Sequence, residues 1–332
     1  MNKWYSMTAE NSDTAVYSKI TLSRNIKNFR FPNRMDINER YALKNTCKAM
    51  LCDSGIMDEY GLSEIPLGEI DIVRVSSLIS RGLLPDGDYS DREEKYLYLS
   101  KDESVAISVG VKDHIFISVT ERGLSFENVY KRIDEIDAKI SSLLPIAFNE
   151  NFGYLTEDPS LLGTALRTSA VLHLPALKNF GEIPSIRESL IHIGVSISQF
   201  GNAGDYYLLT NLITLGITER EAVNNLYAIC KQIIKREVEA LNATDRVYIE
   251  DKSVRAKVLL TSAVKLTQEE TEKYLSDINF GIKAGIISDI SPATVTELWF
   301  SVSDSMIKLV SGQKDDTKRH RADYIKTILR LG

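Results

Sequence analysis

Cysteine is scarce in this 332-residue chain, and its spacing rules out the commonest sulfur chemistries. Cys47, Cys52 and Cys230 are an odd count without metal-ligand spacing. Cys47 and Cys52 fall in a helical pattern, where positions five apart do not share a face, so a zinc site is excluded and buried free thiols are expected. Long apolar runs are absent too. No stretch approaches a membrane span, and the opening MNKWYSMTAENSD lacks the apolar core of a signal peptide, so a cytoplasmic protein without membrane contact is expected. Positive charge is not in excess: 40 Lys and Arg against 46 Asp and Glu leave a net charge of −6, which argues against nucleic acid as a direct partner. There is no internal repeat, and no Walker-type or dinucleotide glycine motif supports a P-loop or Rossmann mechanism.

What remains is an ordinary globular composition, 43% apolar and 26% charged, long enough for two domains or one large one with an appendage. The segment SVAISVGVKDHIFISVTERG (104–123) holds two alternating runs around a polar turn near Lys112-Asp113, which predicts a hairpin. Ile115, Ile117 and Val119 would share one face, with His114, Phe116 and Ser118 on the other. YYLLTNLITLG (206–216) is a further strand. Helix signals dominate the C-terminal part. Thr218 with Glu221 forms a capping box ahead of the stripe Val223, Leu226, Ile233, Ile234, Val238 and Leu241. Thr267 with Glu270 opens another helix, and Ser291-Pro292 opens a third with Gly312 as its stop. QKDDTKRHR (313–321) reads as a solvated linker or helix start. The fold class is therefore α+β: an antiparallel sheet flanked by helices over 1–243, then a smaller, mainly helical domain over 244–332.

LLGTALRTSAVLHLPAL (161–177) carries the most chemistry. A small-residue turn delivers Arg167 onto a strand whose one face holds Arg167, Ser169, Val171 and His173. An arginine aimed along a sheet face suits an anion such as a phosphate; a surface ion pair is the plainer alternative.

Several segments, in order from residue 4 to about 312, resemble the ATP:guanido phosphotransferases, and the bacterial protein arginine kinases in particular. ITLSRNIKNFRFP resembles that family's serine-arginine-isoleucine-arginine-leucine-alanine-arginine-asparagine run before a Phe-Pro. KDHIFI resembles its Glu-Glu-Asp-His-Ile-Arg-Ile hairpin. AFNENFGYLTEDPSLLGTALRTSAVLHLPAL resembles its Cys-Pro-Thr-Asn-x-Gly-Thr-Gly-x-Arg signature with the following His-Leu-Pro-Ala-Leu, and YLSDINFGIKAGII its Leu-Ser-Asp-x-x-Leu-Gly stretch. The resemblance implies an antiparallel sheet across which ATP lies, Mg²⁺, and γ-phosphoryl transfer to a guanidinium nitrogen. It places Lys19, Thr21, Arg24, His114, Arg167 and Ser169 at the nucleotide.

The departures fall on the positions that matter. The family's first two arginines become Lys19 and Thr21, while Arg24 is retained. Its hairpin arginine becomes Phe116, and its paired glutamates become Val111 and Lys112, so a cation stands where the substrate guanidinium is held. Val75 and Ser77 replace a glutamate and a histidine. Asp158, Leu161 and Ala165 replace signature residues, and SISQFGNAGD lacks the arginine of the loop that precedes the last strand, with Asp205 its one acidic candidate. Val264 stands where the family often has arginine. Near the family's phosphoarginine-reading Arg-Asp-x-x-Arg-Ala motif, only Arg321-Ala322 fits, with His320 beside it and Thr317 and Lys318 at its first two positions. Two functions follow. One is a regulatory or binding protein on the kinase scaffold that has lost phosphoryl transfer, with no catalytic residue assigned and no cofactor. Its partner would be a paralogous kinase, a zinc-finger activator, a stress-response regulator or a second copy. The other is an active, ATP- and Mg²⁺-dependent protein arginine kinase with a rearranged clamp. No protein-bound metal site is expected in either.

Overall fold

The computed structural model of the chain describes residues 3–7, 9, 13–312 and 316–331. Its strands are β1 (Ala15–Arg24), β2 (Leu62–Pro66), β3 (Tyr96–Ser100), β4 (Val105–Val109), β5 (Ile115–Arg122), β6 (Phe148–Asn149), β7 (Gly153–Tyr154), β8 (Leu166–His173), β9 (Val195–Gln199) and β10 (Tyr206–Asn211). Among the described residues, eight of them form one sheet in the order β2-β3-β4-β5-β1-β8-β10-β9, and every neighbouring pair is antiparallel. β6 and β7 make a separate small hairpin.

Period-2 alternation divides the sheet into two unlike faces. Ile20, Leu22, Ile107, Ile117, Val119, Ala170, Leu172 and Leu209 are buried on one of them. The helices that accompany the sheet are α1 (Ile37–Asp53), α2 (Ile56–Glu59), α3 (Ile72–Ser80), α4 (Phe126–Leu143), α5 (Pro175–Asn179), α6 (Ile183–His192) and α7 (Glu219–Ala243), and α4, α6 and α7 cover that face. The opposite face is filled at its two ends. At the β3–β4 end, Leu97, Leu99 and Ala106 meet Val75 and Leu78 of α3 (Ile72–Ser80) and Leu83, Leu84 and Tyr89 of the segment that follows. At the other end, Tyr17, Val171 and Tyr206 lie under Trp4, Tyr5 and Phe300. Between these caps the face stays partly open.

The helical part comprises α8 (Arg246–Ser262), α9 (Gln268–Lys283), α10 (Pro292–Ser301), α11 (Asp304–Val310) and α12 (Thr317–Leu331). Both capping boxes form: Thr218 Oγ1 with Glu221, and Thr267 Oγ1 with Glu270. Ser291 caps α10, but the helix does not run on to Gly312. It breaks at Val302, and Ser303 accepts from the Met306 N–H to start α11. Three further expectations are corrected. Val238 of the α7 stripe is exposed, while neighbouring Glu237 is buried and accepts from the Ala176 and Leu177 N–H groups. Cys52 is exposed; Cys47 and Cys230 are the buried thiols. In the polar 313–321 stretch, 313–315 lie outside the described residues. Arg321 is no solvated helix start: it is buried, donating to the Val302 and Leu266 carbonyls and pairing with Asp304. No helix among the described residues is long and apolar enough to cross a membrane.

The sheet is tied to the helical part through His173. Its Nδ1 accepts from Asn279 Nδ2 at 3.0 Å, which leaves Nε2–H to donate to Ser276 Oγ at 3.0 Å. Burial, with Lys283 and Lys252 nearby, drives its pKa well below the ordinary value, so the ring is neutral.

Candidate active-site cleft

Four of the residues that the sequence points to meet on the partly open middle of the sheet. In the β1–β8 ladder Thr21 lies opposite Arg167 and Lys19 opposite Ser169. On the other side of β1, Thr21 faces Ser118, Lys19 faces Thr120 and Ser23 faces Phe116. Lys19, Thr21, Arg167 and Ser169 therefore share one face with Phe116. Their half-burial contrasts with the fully buried parity of the same strands.

Arg24 is not among them. Strand alternation sends it to the helix-covered face, where it is 0% exposed. Its Nε and Nη2 donate to both carboxylate oxygens of Asp137 at 2.9 and 2.7 Å, and Nη2 also reaches Glu219 at 2.8 Å. The guanidinium stacks 3.6 Å from the Tyr154 ring centroid and donates to the Ser23 and Thr164 carbonyls. Burial works against its charge, but Asp137 and Glu219 outweigh it and raise the pKa. The parity was legible: positions 19 and 21 alternate together, whereas 24 goes with Ile20 and Leu22.

His114 is also a scaffold residue. Its Nδ1 accepts from the Ile26 N–H at 2.8 Å, which leaves Nε2–H to donate to the Arg30 carbonyl at 2.7 Å. Burial lowers its pKa, and both ring nitrogens are occupied.

Two cations of the face, Lys19 and Arg167, are each held by backbone. Lys19 Nζ donates to the Gly82 carbonyl at 2.5 Å, and a Cβ on Gly82 would come within 3.0 Å of that nitrogen. Burial lowers the Lys19 pKa to about 8, partly offset by Asp86. Arg167 Nη1 donates to the Asn211 carbonyl at 2.7 Å and Nη2 to Ser160 Oγ at 2.9 Å. Burial lowers its pKa against the pull of Asp158. The surface-pair alternative for Arg167 thus reduces to a neighbouring carboxylate without a direct ion pair among the described residues.

Lys112 is exposed on the β4–β5 turn. Glu157 and Asp158 both feel its charge: burial and Asp113 raise the Glu157 pKa while Lys112 lowers it, and a Ser160 N–H bond, helped by Arg167 and Lys112, lowers that of Asp158. Sequence reasoning missed Glu157 because nothing in its neighbours marks it. It also missed Arg122, which strand parity adds to the cleft face. Arg122 is 4% exposed and donates from Nη1 to the Tyr5 carbonyl at 2.7 Å, while Nε has no partner and no salt bridge forms among the described residues. Asp205 lies away from the cleft, buried between Lys178 at 2.5 Å and Lys252 at 3.6 Å. The shortened loop before it is held on α9, where Glu272 accepts from the Asn202 and Ala203 N–H groups at 2.6 and 3.1 Å.

Comparison with known proteins fits this architecture. Residues 43–240 match the model of the ATP:guanido phosphotransferase C-terminal catalytic domain, and 246–331 match that of the protein-arginine kinase McsB C-terminal domain. The chain belongs to the ATP:guanido phosphotransferase family. The protein-arginine kinase of Clostridium tetani is 32% identical over 341 residues, spanning 99% of this chain and 99% of that protein. That of Clostridium acetobutylicum is 30% identical over 341 residues, spanning 99% and 100%. Among solved structures, substrate-free duplicated taurocyamine kinase from Schistosoma mansoni superposes with a TM-score of 0.61 at 21% identity, covering 77% of this chain and 40% of that one. Lombricine kinase gives 0.60 at 21% identity, covering 70% and 68%. These two show the fold: the guanido-kinase sheet, flanked by helices.

Within this family member, the Lys19 environment has a pH consequence. Its folded pKa of about 8 lies below the ordinary 10.5 of an unfolded lysine. Between those values the unfolded chain binds more protons, so the group's contribution makes stability rise with pH from about 8 to 10.5. Lys283, also lowered to about 8 by burial, acts in the same direction. Lys19→Met is expected to remove roughly half of the rise these two lysines produce, read as urea unfolding free energies at pH 8 and pH 10. An unchanged difference would show that Lys19 is not desolvated in solution.

Proposed function

We propose that this chain is a protein-arginine-kinase-like regulatory or binding protein that has lost phosphoryl transfer. One observation carries the reading: on the cleft face that would hold a triphosphate, Lys19 and Arg167 already donate to backbone carbonyls, and Phe116 occupies a neighbouring row. Phosphoryl transfer rests on preorganised cations that meet the charge developing on the transferring group. The residues present do not fit that demand. Thr21 offers a hydroxyl, Arg24 is committed to Asp137 and Glu219 on the opposite face, and the loop before Asp205 is held by Glu272. Lys112, at the position that resemblance assigns to the guanidinium-holding carboxylate, repels a guanidinium. On this reading the chain requires no cofactor.

On this reading the chain acts in the bacterial cytoplasm through a protein partner: a paralogous kinase, a zinc-finger activator or a stress-response regulator. The second reading, an active ATP- and Mg²⁺-dependent protein arginine kinase, draws on Glu157 and Asp158, two carboxylates close enough to Lys112 to feel its charge. The test is transfer from γ-labelled ATP with Mg²⁺ to an arginine-rich protein. Label is expected to stay at background. Transfer that Arg167→Ala abolishes would establish the second reading.

A further inference from the structure

The buried Arg24 site is roofed by an open groove. A cavity of about 700 Å³ lies between the β6–β7 hairpin and the first turn of α7, with Tyr130, Phe148, Glu150, Tyr154, Leu215 and Glu219 in its lining. Glycine builds its floor. The Tyr154 N–H donates to the Gly163 carbonyl at 2.8 Å and the Thr164 N–H to the Thr214 carbonyl at 2.9 Å. A Cβ on Gly153 would fall 2.3 Å from the Gly163 carbonyl oxygen, and one on Gly163 2.0 Å from that of Thr214. Only glycine lets the three segments close up in this way, so the groove is built into the backbone.

The lining is aromatic and acidic. Phe148 is 52% exposed and Leu215 53%, and the Phe148 ring stands edge-on to Tyr154 at 5.3 Å. The two tyrosines already carry guanidinium groups: Arg24 lies 3.6 Å from the Tyr154 ring centroid and Arg220 5.1 Å from that of Tyr130. Phe148 offers a further ring with no cation over it among the described residues. Glu219 gives Arg24 its Oε1, at 2.8 Å. Burial raises the Glu219 pKa, and Asp137 and Asp134 add to this against the pull of Arg24, so negative charge is in surplus there. The Glu150 carboxylate has no ion pair among the described residues. An aromatic surface left open beside unbalanced carboxylates is complementary to a cation with a flat apolar face.

The groove continues beyond Glu219. A second cavity of about 570 Å³, bounded by Phe126, Tyr227 and Lys231, extends the α4–α7 seam past an exposed Arg220–Glu127 pair, Nη2 to Oε2 at 2.8 Å. Spacings of seven and four residues keep Arg220, Tyr227 and Lys231 on one side of α7. From Glu219 to Lys231 the helix rises about 18 Å, a length that about six residues of extended chain span. That reach selects a peptide over a small molecule.

We propose that the α4–α7 seam is a docking groove for an extended segment of a protein partner, whose basic side chain stacks on Phe148 and pairs with Glu219 and Glu150. Arginine fits better than lysine, because a planar guanidinium stacks and pairs at once. The two helices lie on the opposite face of the sheet from Lys19 and Arg167, so the proposal does not depend on whether the cleft transfers phosphate.

The probe is the blocked hexapeptide Ala-Ala-Arg-Ala-Ala-Ala, titrated to millimolar concentration into the ¹⁵N-labelled full chain and followed by backbone amide shifts. Saturating shifts are expected at Tyr130, Phe148, Tyr154 and Gly216. The same peptide with glutamate in place of arginine should bind at least tenfold more weakly. Glu150→Lys should weaken the arginine peptide about fivefold and Phe148→Ala about threefold. Both changes lie on the exposed hairpin, and thermal melts show whether the variants fold. Arg167→Ala, across the sheet, should leave this binding unchanged. No shifts at millimolar peptide, equal binding of the glutamate peptide, indifference to both folded hairpin variants, or shifts confined to Lys112 and Arg167 would each overturn the proposal.

Discussion

Arg24→Ala is expected to lower the unfolding free energy by about 3–5 kcal/mol, because it leaves two carboxylates without their counter-charge in a buried site. Arg24 is fully buried, makes a two-pronged pair with Asp137 and bridges to Glu219, joining β1 to α4 and α7. Asp137 is itself buried, and burial already raises the Glu219 pKa. Arg24→Lys should also be costly, since an ammonium cannot reproduce the planar fork or stack on Tyr154. Urea unfolding of both variants checks this. A loss below about 1 kcal/mol for Arg24→Ala, the scale of a surface ion pair, would mean that the guanidinium is free for a ligand.

The second large effect is a gain. Lys112→Glu, Phe116→Arg, Lys19→Arg and Thr21→Arg are each expected to leave phosphoryl transfer near background when made alone. Combined, they should raise it by more than the product of the single effects, because residues of one site act as a unit. Each preorganised donor to a developing charge is worth about 10²–10³ in rate. The register supports the design: positions 21 and 167 are ladder partners, and 116 faces Ser23 one row along. Two arginines so placed repel until an anion bridges them, so the combined variant should be less stable alone and recover stability with MgATP. Activity no higher than that of the best single variant, in a protein that folds, would place the remaining block in the loop that Glu272 holds on α9.

The sheet and the helix starts were legible because their signals are local. Thr218 with Glu221 and Thr267 with Glu270 are caps written in four residues, and the alternation of 115–119 sorted Ile115, Ile117 and Val119 from Phe116 and Ser118. The cleft was legible only by face. Arg167, Ser169, Lys19 and Thr21 meet as strand parity requires, and the same parity removes Arg24, which motif position alone had grouped with them. What the sequence hid depends on distant chain. Lys19 is held by a carbonyl 63 residues away, His114 by the Ile26 and Arg30 backbone, and Arg321 by carbonyls on two other segments. A polar neighbourhood such as TKRHR says nothing about which of its side chains the helix turns inward. Val302 likewise breaks a helix that propensity would continue, because Ser303 offers a better cap.

The most direct test of the lost-transfer account is isothermal titration calorimetry of the wild-type chain with MgATP, repeated with Arg167→Ala. Binding heats at the level of dilution up to millimolar nucleotide are predicted, with no difference between the two proteins. A saturating isotherm at micromolar nucleotide that Arg167→Ala abolishes would show a working phosphate clamp and contradict the account.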